Sequence, residues 1–338
     1  MKKFVAMVIA FGMTFTSLAG CSSSQTSNAS SSAGAESAAA SAVSAAAASA
    51  GGTAVSGTPT FMFCISHMSN AWAKEASSSM QDAAKAAGAS LIVNSADQDI
   101  NKQVSQIESG VNQKVNCIIV EPVNVDGVIP AIQEAINAKI PVIVYNQNIK
   151  DPSKATTFVG VNNETIGYAE MKRACQDIGG KGNIAVLEGP LGSEGQVGRS
   201  SGYKKALAEN PNVKVVFEQP ADWDTDKGLE RSENWLQTGT SLSAIVSQND
   251  NMALGAVKAI ADKNLTGKIK VYGCDAVPDA LKLIKSGTLT ATISQETSKQ
   301  SQAAIDAAMK LVKGQTVDKQ ILVDIKVVDS SNVADYMK

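Results

Sequence analysis

The sequence predicts an α/β protein built from two similar, doubly wound parallel-sheet lobes. Three observations carry that reading. The chain has 338 residues, 44% of them apolar, which is ample for a large core and for about two domains. From Thr60 onward, short and nearly continuous apolar runs alternate with amphipathic stretches. The alternation then restarts near Asn183, so the second half repeats the first.

The first series begins with a strand at Phe61–Ile65, then a helical stretch over Ala71–Ala87 that Gly88 ends. A strand at Leu91–Asn94, a helix over Ile100–Gln113 and a strand at Cys117–Val120 follow. Val125–Ala138 has helical spacing, and Pro141 leads into strands at Val142–Tyr145 and Thr157–Val161. The second series places strands at Asn183–Glu188, Val213–Glu218, Ala244–Ser247, Lys270–Gly273 and Thr290–Ser294. Helices fall near 164–178, 196–209, 225–237, 250–262, 277–285 and 297–313. Uninterrupted apolar strands suit sheets covered on both faces. Repeated βα units imply parallel strands with right-handed crossovers.

The N-terminal segment stands apart. Lys2 and Lys3 precede an apolar stretch from Phe4 to Leu18, shorter than the roughly 20 residues a membrane span needs. It ends in Leu18-Ala19-Gly20-Cys21 and resembles a bacterial lipoprotein signal over residues 1–20. That resemblance implies cleavage before Cys21, lipid on its sulfur and an extracytoplasmic, membrane-anchored protein. Residues 22–57 hold 12 Ser, 13 Ala and one charge, Glu36. With Cys21 they are expected to form a disordered tether over 21–57.

Composition narrows the function. Lys+Arg is 30 against Asp+Glu 32, a net charge of -2, so no basic excess exists to neutralise nucleic acid. The one histidine, His67, leaves little for a multi-histidine metal centre or a Ser-His-Asp set. Cys64, Cys117, Cys175 and Cys274 lack C-x-x-C spacing and are expected to be buried free thiols. No cofactor or metal is expected, and the protein is expected to be a monomer.

In open α/β sheets, ligands bind beyond the carboxyl ends of the strands. The residues there are His67, Asn70 and Trp72; Asn146 and Gln147; Gly189 through Arg199; Asp222, Trp223 and Asp224; Gln248 to Asp250; Asp275; and Gln295. This set of amides, carboxylates and one Arg suits a sugar, whose hydroxyls both donate and accept. Trp72 and Trp223, one per lobe, could pack on the C–H faces of a sugar ring. Asn and Asp after a strand also cap the next helix, and Asp224 and Asp250 are read mainly as caps. His67 is read equally as a polar contact and as an ordinary loop residue. Trp235, mid-helix beside Leu236, reads as core.

Over about residues 58–330 the chain resembles the periplasmic sugar-binding proteins of the ribose/galactose type, the extracytoplasmic receptors of ABC importers. The most specific stretches are Gln248 to Ala256, Val271 to Asp279, Ala221 to Asp224 and Arg199 to Tyr203. The resemblance implies sugar contacts at Arg199, Trp223, Asn249, Asp275 and Gln295, with Trp72 as the first-lobe aromatic and Asn70 its polar neighbour. Ribose binders carry Asp-Arg where this chain has Asn146-Gln147, which favours a hexose or a cyclitol such as inositol and leaves the first lobe with neutral hydrogen bonds. Three hinge strands joining the lobes are implied, with the ligand cleft between. The first lobe would take 58–161 plus 296–323 and the second 162–295 plus 324–338. Binding would close the lobes on the sugar and present the closed form to an ABC permease.

Other functions are weaker. Gly189-x-x-Gly192-x-x-Gly195 follows a strand, but it is not the dinucleotide G-x-G-x-x-G. Asp222 and Asp224 share one loop and make no obvious glycosidase pair. The chain is therefore not expected to be an enzyme. A ligand-sensing subunit for a chemoreceptor or histidine kinase would share fold and ligand, and it remains the alternative.

Overall fold

The computed structural model describes residues 57–337. Cys21, the N-terminal signal and all of the tether except Gly57 lie outside the described residues.

The first series runs β1 (Thr60–Ile65), α1 (Ala71–Ala86), β2 (Ser90–Ser95), α2 (Ile100–Asn112), β3 (Cys117–Val120), α3 (Ile129–Asn137), β4 (Val142–Asn146) and β5 (Thr157–Gly160). The second runs α4 (Asn163–Asp177), β6 (Gly182–Glu188), α5 (Glu194–Ala208), β7 (Val213–Pro220), α6 (Thr225–Gln237), β8 (Ala244–Ser247), α7 (Asp250–Asp262), β9 (Lys270–Cys274), α8 (Pro278–Ser286) and β10 (Ala291–Ser294). The chain closes with α9 (Thr297–Val312), β11 (Gln320–Leu322) and β12 (Lys326–Asp329).

Two six-stranded sheets result, ordered β2-β1-β3-β4-β5-β11 and β7-β6-β8-β9-β10-β12. Each core of five has the same doubly wound order, so the repeat legible in the sequence is a repeat of topology. The sheets are parallel except for β12, which pairs antiparallel with β10 through Ile293↔Val327. The expected series of five strands each gain a sixth from the C-terminal segment. β11 pairs with β5 in the first sheet and β12 with β10 in the second. The chain therefore passes between the sheets after β5, after β10 and after β11.

The strands form where burial demands them. β3, β4 and β8 are buried along their whole length. α3 begins four residues later than its spacing suggested, because the Asn124 side chain accepts from the backbone N–H of Asp126 and Gly127 in a turn. α9 packs on the first sheet: Tyr145 Oη and Ser301 Oγ are 3.1 Å apart, and Ser301 Oγ donates to the Ala76 carbonyl at 3.4 Å. Trp235 is core, as read from the sequence, stacked on Phe217. Cys64, Cys117, Cys175 and Cys274 are buried and free.

Candidate functional site

The loops beyond β1, β4, β6, β7, β8, β9 and β10 converge on one cleft. His67, Asn70, Trp72, Asn146, Gln147, Arg199, Trp223, Asn249, Asp275 and Gln295 all line it, and so does Gly195. Those ten side chains are thus brought together, with Gly195 from the Gly189 to Arg199 stretch, whereas Asp222, Asp224, Gln248 and Asp250 do not line the cleft.

Local backbone aims several of them. Asn146, Trp223 and Asp275 hold positive φ, 59°, 60° and 127°. Such angles are uncommon outside glycine and cost on the order of 1–3 kcal/mol each where the surroundings enforce them. Gly189 seats the Trp223 ring, since a Cβ there would fall 2.1 Å from its six-membered ring carbons. The Arg199 guanidinium lies over that ring, 5.4 Å from its centroid.

The amides can be oriented by their partners, because a carboxylate only accepts and a backbone N–H only donates. Asn70 caps α1, its Oδ1 accepting from Ala73 N at 2.8 Å. Asn249 caps α7 in the same way, accepting from Met252 N at 3.0 Å. Both therefore keep Nδ2 free as a donor. Gln295 Nε2 donates to Asp275 Oδ1 at 2.6 Å, so its Oε1 must accept, and Asn146 Nδ2 donates to it at 2.9 Å. Asn146 keeps Oδ1 as an acceptor. Arg199 gives Nε to Asn163 Oδ1 at 3.1 Å and Nη1 to the Gln248 carbonyl, which leaves further N–H donors. Trp72 Nε1 is buried without a partner. The wall thus offers both donors and acceptors.

Electrostatics centre on the second lobe. Burial pushes the Asp275 carboxyl up to about 6, against the opposing pull of Arg199 and of the Gln295 hydrogen bond. Asp250, behind it, is pushed up to about 7 by burial and then by the charge of Asp275. Asp250 is not the cap it was read as. Asn249 takes that role, and Asp250 turns inward to accept from Val277 N at 3.0 Å and Thr292 Oγ1 at 2.7 Å. Gly273 makes room, since a Cβ there would fall 2.2 Å from Asp250 Oδ1. Asp224 does cap its helix, accepting from Lys227 N at 2.9 Å.

The first lobe also departs from expectation. Its wall is not purely neutral, because the buried Glu121 stands behind it and accepts from Ser66 N at 2.8 Å and Gln147 Nε2 at 2.6 Å. Sequence reasoning missed Glu121, although it directly follows β3 and so obeys the strand-end rule. His67 is buried on the cleft wall, its Nδ1 2.8 Å from Ser66 Oγ. Among the described residues no group of three or more His, Cys, Asp or Glu could hold a metal ion.

Fold and cleft together define a two-lobed solute-binding protein of the ribose/galactose type. The chain belongs to the periplasmic binding protein domain family, whose model matches residues 61–316. It is similar to the xylitol-binding protein of Mycolicibacterium smegmatis, 34% identical over 260 residues, covering 77% of this chain and 74% of that one. A periplasmic solute-binding protein of an ABC transporter from Actinobacillus succinogenes, solved with bound D-allose, superposes with a TM-score of 0.80 at 34% identity. That match covers 82% of this chain and 100% of the other. A solute-binding protein from Bacillus halodurans with bound myo-inositol gives 0.80 at 30% identity, covering 84% and 99%. The family consists of substrate-binding proteins of ABC transporters, which are extracytoplasmic and are not enzymes. Among the described residues no helix is long and apolar enough to cross a membrane.

Proposed function

We propose that this chain captures a monosaccharide or cyclitol, hexose or inositol-like rather than ribose, and delivers it to an ABC importer. The observation that carries the reading is the convergence of donors and acceptors from both lobes on one cleft. Asn70, Asn249, Arg199 and Trp72 offer donors, while Asn146 and Asp275 offer acceptors. A polyol, each hydroxyl of which does both, satisfies such a wall; a purely apolar ligand would strand every one of these groups. Trp223 supplies a face for ring C–H groups. The D-allose and myo-inositol bound by its similar structures, and the xylitol in the name of its relative, support the same class.

Capture works by closure. Residues 58–161 with 296–323 form one moving body and 162–295 with 324–338 the other. Ligand touching both favours the closed form by its differential affinity, and exclusion of water strengthens each polar contact. Lipidation at Cys21 would hold the monomeric receptor near its permease.

Thermal unfolding against pentoses, hexoses and cyclitols tests the reading. A binding sugar at 100 times its dissociation constant adds about 2.7 kcal/mol of stability. Turnover of that sugar by the purified protein would instead indicate an enzyme. Membrane fractionation of Cys21→Ala tests the anchor; unchanged membrane association and N-terminal mass would overturn it.

A further inference from the structure

We propose that Glu121 is a positioning residue that fixes the Gln147 side chain as an acceptor, so that a buried carboxylate outside the cleft wall sets the hydrogen-bonding sense of the first lobe. The inference rests on the sugar-binding reading for its consequence, though not for its geometry.

Glu121 is fully buried and has no Lys or Arg partner among the described ion pairs. A buried carboxylate needs strong donors. Ser66 N satisfies one oxygen, and Gln147 Nε2, at 2.6 Å, satisfies the other. Gln147 therefore cannot turn its amide round without setting Oε1 against a carboxylate oxygen. Its Oε1 is held toward the cleft and the second lobe, where Gly195 N lies 3.5 Å away.

The result matches the neighbouring residue. Asn146 is fixed as an acceptor by the relay from Asp275 through Gln295. Two adjacent neutral amides, which by type could each point either way, thus both present oxygen. The ligand group facing them must donate. A hydroxyl or an amine fits there, and an ether oxygen or a carboxylate is rejected. Gln147 Oε1 also reaches across to Gly195, so the same orientation serves closure.

Burial raises the Glu121 carboxyl above its ordinary range, opposed by His67 and by hydrogen bonds from Ser66 and Gln147. The charge of Glu121 also acts on the Tyr145 hydroxyl, which faces it from β4. Protonation would place a donor opposite the Gln147 amide and release its orientation.

The test has a ligand-free arm and a ligand arm. In the first, the Gln147 side-chain N–H2 resonance, assigned by its loss in Gln147→Met, is followed against pH by NMR. It should titrate with a midpoint above the ordinary glutamate range and stop titrating in Glu121→Gln. In the second, calorimetry with D-allose, myo-inositol and xylitol compares the wild type, Glu121→Gln and the exchange Glu121→Gln with Gln147→Glu. The single variant sets two amides against each other and should lose about tenfold or more in affinity. The exchange restores a donor facing an acceptor and should recover most of that loss, which general destabilisation would not. A Gln147 resonance indifferent to pH and to Glu121→Gln overturns the proposal. So does an exchange variant no better than the single one. If none of the three compounds binds the wild type, the sugar reading suffers while the resonance still decides the role of Glu121.

Discussion

Replacing Asp275 by Asn separates recognition from structure. The change keeps size and side-chain branching, so it makes no new demand on the backbone at its φ of 127°. The variant can keep Oδ1 on Gln295 and so preserve the relay to Asn146. What it loses is the charge and the second acceptor oxygen facing the cleft. A hydrogen bond to a charged group contributes about 1.5–3 kcal/mol and a neutral one about 0.5–1.5. The difference, about 1–2 kcal/mol, weakens sugar affinity roughly 5- to 30-fold. Stability without ligand should move the other way or not at all. Burial raises the folded Asp275 carboxyl from 3.8 to about 6, so its charge is a burden on the folded state near neutral pH. The Asn variant should therefore unfold no earlier than wild type at pH 7, and that advantage should be smaller at pH 5, vanishing only below the unfolded value of 3.8. Calorimetric titration with the tightest ligand and melting curves at both pH values decide it. Wild-type affinity combined with unfolding several degrees earlier would make Asp275 a structural residue and refute the assignment.

Trp223→Ala should cost roughly 1.5–3 kcal/mol, about 10- to 150-fold in affinity by titration, and wild-type tryptophan fluorescence should respond to ligand. Gly189→Ala should push the Trp223 ring from its seat, with about 1–3 kcal/mol of strain and at least several-fold weaker binding; unchanged affinity would show the ring is not held there. Lowering pH from 7.5 to 5 should produce opposed trends. The raised carboxyls of Asp275 and Asp250 contribute stability that is full below about 3.8 and lost as pH rises through about 6 and 7, so the unliganded protein gains from them on acidification. Ligand affinity should fall over the same interval as Asp275 loses its charge, and an affinity flat across it would contradict the role given to that carboxylate.

Much of this protein was legible because its strands are buried on both faces. Ile118, Ile119 and Val120 in β3, and Ile143 and Val144 in β4, are fully buried, and such runs leave little choice but a covered parallel sheet. The strand-end rule then located the site, since a doubly wound sheet places every βα loop at one edge. The apolar alternation did not locate β11, a three-residue edge strand whose Gln320 and Leu322 are exposed and whose apolar run, Ile321 to Val323, is too short to mark a buried strand. Asp250 was misread because a helix-opening Asp resembles a cap. Only the packing of α7 against Gly273 turns it inward, toward Thr292 and Val277. Nor could amide orientation be read from residue type. It is set by partners distant in sequence, Asp275 acting on Asn146 through Gln295 and Glu121 acting on Gln147.

A crystal structure with the tightest-binding sugar or cyclitol should show one ligand in the cleft, its ring against Trp223, its hydroxyls on Arg199, Asn249 and Asp275 from one lobe and on Asn70, Asn146 and Gln147 from the other. A ligand bound elsewhere, or one that leaves Arg199 and Asp275 untouched, would contradict that placement.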